Sequence, residues 1–344
     1  MRIIATYVEG ARRVGRARGV LAATYLALLL FAAPLALVVR GLIADHLGAS
    51  LAAESAARGV NWVWWQEFAA QATGLGATFA PSVIGFAAPI ANVSDLLDNR
   101  RMATVVAAVV GVWLVLWSFL AGGMIDRLAR DRRLGVAGFA AAAGRHAGRL
   151  WRLGVLALGL YALLFGYVHG WLFDDFFPWA TRDLTVERTA FLVRVGLYLA
   201  FGALLVALNI VVDYARIRLV VEDRHSAVMA LVAAARFVRR RPGPVLLLYL
   251  LNGFGFLLLL RVYATIAPSA GSSGAGFWLG VLVSQAYIVG RVLVKLQFYA
   301  SQVIFFQGEL AHAGYVAAPV AGPADPPAGE ALRGAPAEPT PTRG

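Results

Sequence analysis

The chain of 344 residues contains no cysteine and a single lysine, Lys295. Without cysteine there is no disulfide framework, no thiolate metal site and no thiol nucleophile. Charge is scarce as well: 15% of residues are charged, where a soluble domain carries about 25%. The five histidines, His46, His146, His169, His225 and His312, never fall three or four residues apart, so no helix carries a paired metal site. No dinucleotide fingerprint, P-loop or nucleophile elbow occurs. Asp174-Asp175 lacks the third acid of an aspartate-rich metal motif, because Pro178 stands there, and reads as part of a solvated loop. No enzyme activity, cofactor or metal is therefore expected.

What the chain has is apolar surface. Hydrophobic residues make up 60%, in blocks of twenty or more, which excludes a disordered chain and points away from a soluble domain. Six segments are long enough to cross a hydrocarbon layer of about 30 Å at about 1.5 Å per residue: 20–42, 103–125, 153–173, 190–212, 244–266 and 277–306. The expected fold is an all-α polytopic membrane bundle over residues 1–312, with a long outer loop at 43–102. Within that loop the apolar stretch 80–93 is too short to span and reads as interfacial or re-entrant. The first apolar block is too long for a signal-peptide core, so it is expected to remain as a span. Residues 313–344 are rich in Pro, Ala and Gly and are expected to be a disordered tail.

The formal charge is +12, and its distribution explains it. Segments 1–19, 126–152, 213–243 and 308–344 carry 21 basic residues, against 5 in 41–101, 174–189 and 267–276. The positive-inside rule then puts both termini in the cytoplasm. Nucleic-acid binding is not expected, since topology accounts for the basic excess. The use of Arg over Lys, with abundant Ala and Gly, reads as a GC-rich bacterial chain, hence a bacterial cytoplasmic (inner) membrane. The inner Arg clusters suit anionic lipid headgroups.

Three inner segments resemble one another. Residues 11–25 align with 235–249, matching Ala11/Ala235, Arg12/Arg236, Val14/Val238, Arg16/Arg240, Gly19/Gly243 and Tyr25/Tyr249; residues 131–149 align more weakly with 223–241. In each, an Ala-rich helix ends in arginines and a Gly or Pro break before a span. The pattern predicts three repeated units, each a cytoplasmic interfacial helix plus a two-span hairpin. The interfacial helices would cover 3–17, 135–149 and 226–241, with Ser226 capping the last. The stretch 220–252, with an acidic residue, an Ala-rich helix, an Arg-rich end, Pro242-Gly243 and an apolar span, resembles the membrane domain fused to some glycerophosphodiester phosphodiesterases and similar stand-alone six-span bacterial proteins. That resemblance implies an architecture and carries no catalytic residue.

Two groups of residues break the apolar rule. Arg291 and Lys295 sit four apart on one face of the sixth span, at a cost of roughly 3 kcal/mol for an isolated cation at mid-bilayer. Such cations face a bundle interior or water, or else Lys295 reaches the inner headgroups and Arg291 snorkels. Asp213 and Asp126, at the inner ends of the fourth and second spans, are the candidate partners, with Asn209 and Gln302 completing a polar seam. Lys295 is expected to point inward and pair directly with one of the two aspartates, Asp213 ahead of Asp126. In the outer loop, Trp62, Trp64, Trp65 and Phe68 lie within eight residues and form a candidate contact site for a lipid, a glycan or another membrane protein. Trp113 and Trp117 share a helix face and are expected to pack. The first functional expectation is a non-catalytic scaffold or partner subunit; the alternative is a transporter or lipid-handling protein with a cationic seam. What separates them is whether Arg291 opens onto a cavity or onto lipid.

Overall fold

A computed structural model describes residues 3–48, 50–59, 61–79, 93–100, 104–132, 134–267 and 274–312. The segment 80–92 and the Pro-rich tail 313–344 lie outside the described residues. Among those described, the chain is helical and contains no strand. In order, the helices are α1 (Ile3–Arg16), α2 (Arg18–Gly48), α3 (Ala53–Arg58), α4 (Trp62–Gln71), a turn α5 at 93–97, α6 (Thr104–Arg130), α7 (Val136–Leu163), α8 (Phe177–Thr181), α9 (Glu187–Val221), α10 (Ala227–Arg240), α11 (Pro242–Ile266) and α12 (Ala275–His312). Two π-helical turns, Leu164–His169 and Trp171–Phe176, join α7 to α8. Six helical runs are long and apolar enough to cross a membrane: α2, α6, the run Val136–Thr181, α9, α11 and α12 as far as Leu310. This is a membrane-type helical protein. The chain divides into a body, 1–308, and a terminal unit, 309–344.

Burial is concentrated at one end of the body. Nine successive residues of α6, Leu120 to Leu128, are buried, including Asp126 and Arg127. A helix buried all round is enclosed by protein on every side. The same end takes in Val212 to Ala215 of α9 and Leu296, Tyr299, Phe305 and Phe306 of α12. Toward the other end, large apolar residues such as Phe191, Leu199 and Trp278 are exposed, as lipid-facing side chains are.

Small residues set the close packing at the buried end. A Cβ on Gly123 of α6 would lie 2.6 Å from the Phe139 ring of α7, and one on Gly122 would lie 3.0 Å from His146 Cβ. On α1 the buried residues Thr6, Gly10 and Val14 are four apart and form one face. A Cβ at Gly10 would come within 3.1 Å of the Ser301 backbone. The Gln297 amide donates to the Tyr7 carbonyl at 2.8 Å, and Arg13 donates to Gln307 Oε1 at 3.3 Å, so α1 follows α12 over these turns. Arg13 also donates to the Leu128 carbonyl at 2.9 Å, while Arg127 donates to the Arg16 carbonyl at 3.3 Å. Each arginine thus satisfies a carbonyl near the end of the other's helix.

Two of the three expected breaks are present. The chain leaves helical geometry at Ala17, between α1 and α2, and at Arg241, where Pro242 occupies the first turn of α11. Ser226 caps α10, its hydroxyl accepting from the Met229 N–H at 3.3 Å. The expected break near residue 149 is absent: α7 runs from Val136 through Leu163 without interruption. Gly148 carries an N–H and leaves the helical ladder intact, where proline would not. The helix also continues past Phe173, through the two π turns, to Thr181.

Candidate functional site

A cavity of about 780 Å³ lies between α2 and the helices α6, α9, α11 and α12. That is the size range of small-molecule sites, roughly 300–1,000 Å³. Its two sides differ in chemistry. The α2 side presents Leu28, Leu29, Phe31, Ala32, Ala33 and Ala36, with Tyr25 as its one polar residue. The opposite side presents Asn209 and Asp213 from α9, Tyr249 from α11, and Gln285, Arg291 and Lys295 from α12. Ile288, Val292, Val294 and Phe298 of α12, Phe256 of α11, and Trp113 and Trp117 of α6 complete the lining.

Both seam cations therefore reach the cavity. Arg291 and Lys295 are four apart, so one helix face delivers both. Lys295 Nζ lies 4.8 Å from the centre of the Tyr299 ring, with the Phe298 and Trp117 rings at 5.9 and 6.0 Å. The Arg291 guanidinium lies 5.8 Å from the Tyr287 ring, and Tyr287 stacks on Tyr263 at 4.1 Å. Ring faces attract a cation without neutralising it. Among the described residues, no carboxylate oxygen lies within 4.0 Å of either cation.

The expected direct Lys295–Asp213 pair is not formed. Asp213 shares the cavity with Lys295, but its Oδ1 accepts from Arg216 Nη1 at 2.7 Å, one turn along α9. Intrahelical spacing of three residues brings this pair together before any neighbouring helix is needed. Arg216 itself faces a second, small cavity of about 80 Å³, lined also by Trp117, Ser118 and Tyr161. Asn209 lines the main cavity, but its amide donates to Tyr249 Oη at 2.8 Å, so it bridges α9 to α11. Asp126 lies outside the cavity lining. Its carboxylate meets Arg130 at 2.8 Å, Arg132 at 3.5 Å and His146 at 3.6 Å. Gln302 is buried and also absent from the lining. The seam thus separates into a cavity group, Asn209, Asp213, Arg291 and Lys295, and two residues that serve the packed end.

Sequence reasoning assigned no site role to Arg216, Tyr25, Tyr249, Trp113 or Trp117. The i, i+3 spacing from Asp213 marks Arg216. Tyr25 and Tyr249 match in the alignment of 11–25 with 235–249, and both line the cavity. Tyr25 Oη donates to Gln285 Oε1 at 2.8 Å, across the cavity wall from α2 to α12. Trp113 and Trp117 do pack on each other, with centroids 5.4 Å apart, while also lining the cavity.

The aromatic cluster of the loop between α2 and α6 is a separate structure. Asn61 caps α4, its side chain accepting from the Trp64 N–H at 3.0 Å. Trp64 and Phe68 stack at 5.4 Å and are buried against the end of α2, where Trp64 Nε1 donates to His46 Nδ1 at 3.0 Å. Trp62 and Trp65 meet edge to face at 5.5 Å, and Trp65 donates to the Phe79 carbonyl at 3.2 Å. Trp62 is 58% exposed. Of the four candidate contact residues, the surface therefore offers mainly Trp62.

Further along the loop, 93–100 is tied to the bundle. Tyr198 donates to Asp98 at 2.6 Å, Asn99 to the Phe165 carbonyl at 3.2 Å, and His169 Nε2 to the Leu97 carbonyl at 2.9 Å. The Tyr198 hydrogen bond, with Arg100 and Arg194 nearby, holds the Asp98 carboxyl below the usual carboxylate range. Comparison with protein-family models, curated proteins and solved structures finds no match to the chain.

Proposed function

We propose that this membrane protein binds an anionic substrate in the cavity beside α2, as a transporter or lipid-handling protein. One observation carries the reading: Arg291 and Lys295 line the cavity, and among the described residues no carboxylate oxygen lies within 4.0 Å of either. Holding a cation away from water and from a counter-ion is costly, and an anionic ligand offsets that cost. A scaffold role makes no use of such a cavity. The same reading sets the protein in a bacterial cytoplasmic membrane with both termini inside, and takes α1 and α10 as interfacial helices that open two of three repeated units. In the remaining unit the corresponding helix is fused to its span. Reporter fusions at Asn92 and Gly344 test the topology, and an outward C-terminus refutes it. For the site, protein purified from its native membrane in mild detergent is analysed for bound small molecules beside Arg291→Met/Lys295→Met. Wild type is expected to retain an anion that the double variant loses; identical contents in both refute the reading.

A further inference from the structure

We infer that the substrate of this cavity is an acyl-chain amphiphile with one anionic head, taken up from the lipid phase past α2. The inference rests on the function proposed above and specifies its substrate.

The two-sided lining is the first argument. Between Tyr25 and Ala36, α2 contributes about 16 Å of wall at about 1.5 Å per residue, all of it aliphatic or aromatic after Tyr25. Between Gln285 and Phe298, α12 contributes about 20 Å by the same measure. The cavity is therefore long in the helix direction, with an apolar face opposite one bearing two cations and the Asp213 carboxylate, which is already paired with Arg216. A small hydrophilic anion would satisfy the cations and leave the α2 face wetted. A neutral chain would satisfy α2 and leave the cations without a partner. A molecule with both parts satisfies both faces.

The second argument is the wall itself. Of the 31 residues of α2, only Val20 and Thr24 are buried. This helix is thus the thin partition between the cavity and the surroundings of the bundle, with Leu30, Leu37 and Val38 exposed. Its lining residues Ala32, Ala33 and Ala36 are small, and Pro34 between them removes one rung of the helical ladder. The Tyr25–Gln285 hydrogen bond joins this wall to α12 beside the cavity. A route through such a wall opens to lipid and admits a lipid-soluble molecule.

Trp113 and Trp117 line the cavity, so a bromine-bearing chain inside it quenches their fluorescence. The probes are octadecanoate dibrominated in its chain, the neutral monoglyceride of the same brominated chain, and inorganic phosphate or succinate as soluble anions. Quenching is measured for the full chain in nanodiscs, beside Trp113→Phe/Trp117→Phe and Arg291→Met/Lys295→Met. Soluble-anion binding is read as a thermal shift. The brominated anion is expected to quench wild type more than the Trp variant, and to bind at least about tenfold more tightly than the neutral probe, the worth of one charge-assisted contact. The Arg291/Lys295 variant is expected to lose that preference. If phosphate or succinate stabilises wild type but not the charge variant, and the acyl anion does not quench, the inference falls while the proposed function stands. If both acyl probes quench equally, or no probe binds, both fall.

Discussion

Asp213, Arg216 and Lys295 give different predictions for stability depending on which cation the carboxylate serves. Asp213 is almost fully buried, and Arg216 keeps 23% side-chain exposure, with 2.7 Å between them. Taking one member from a buried pair costs about 3–5 kcal/mol, because the other charge loses its counter-ion. The partial exposure of Arg216 and the acceptor that Asn retains place Asp213→Asn near the lower end, about 3 kcal/mol. Lys295 is held by ring faces worth about 0.5–2 kcal/mol. Its removal also relieves the cost of a desolvated cation, roughly 3 kcal/mol. Lys295→Met is therefore expected to change stability by less than about 1 kcal/mol or to raise it, as the two contributions oppose. Thermal unfolding of the single variants, Asp213→Asn/Arg216→Met and Asp213→Asn/Lys295→Met in one detergent gives the coupling energies. The first double variant is expected to recover part of the loss. The second is expected to be additive. Equal losses for Asp213→Asn and Lys295→Met, with strong coupling between them, would show that Lys295 is the true partner and refute the assignment.

Three further outcomes follow from the packing. Gly123→Ala is expected to destabilise by about 1–2 kcal/mol, overpacking against the Phe139 ring outweighing the helix propensity gained; Gly111→Ala, on the same helix with open space around it, is the control and should not destabilise. Parity of the two by thermal unfolding refutes the close approach. His46→Ala should loosen α4 by removing the acceptor of Trp64 Nε1, at a cost of about 1 kcal/mol, read as red-shifted Trp emission; an unchanged spectrum contradicts it. Because the Asp98 carboxyl is held low, its bond to Tyr198 stabilises the folded loop above the ordinary carboxylate value of about 3.9 and is lost as pH falls through the lowered folded value. Hydrogen exchange of the 93–100 amides, each referred to its intrinsic rate at that pH, should lose protection only below that ordinary value; protection independent of pH, or lost above it, would show that Asp98 does not hold the loop.

The long apolar runs made the six spanning helices legible, since length and composition alone decide them. The breaks at Ala17 and Arg241 were legible for a different reason. Arg-rich helix ends followed by Gly or Pro form a local signal, and Pro242 enforces it sterically. The same reasoning failed at residue 149 because the signal there was glycine alone. In the site, the in-span position of Arg291 and Lys295 left two readings open, snorkelling or a polar seam; both residues line the cavity. The partner of Asp213 was misread because a cross-helix contact was sought while a cation stood three residues away. The apolar side of the cavity was not legible. Leu28 to Ala36 look like any lipid-facing stretch, and only the gap between α2 and its neighbours distinguishes them.

The two π turns between Leu164 and Phe176 have a consequence for how this chain tolerates changes in length. Each holds one residue more than an α-helical turn, and each residue turns a helix by about 100°. Beyond the second turn the helix is therefore rotated by roughly 200° relative to an uninterrupted α-helix. Phe173, inside the second turn, meets His169, Tyr198 and Phe201 after the offset of the first, roughly 100°. A deletion of one residue within either turn returns it to an ordinary α-helical turn, and the residues after it keep the facing they have now. This stretch can therefore give up a residue without turning the side chains down to Thr181 to a new side.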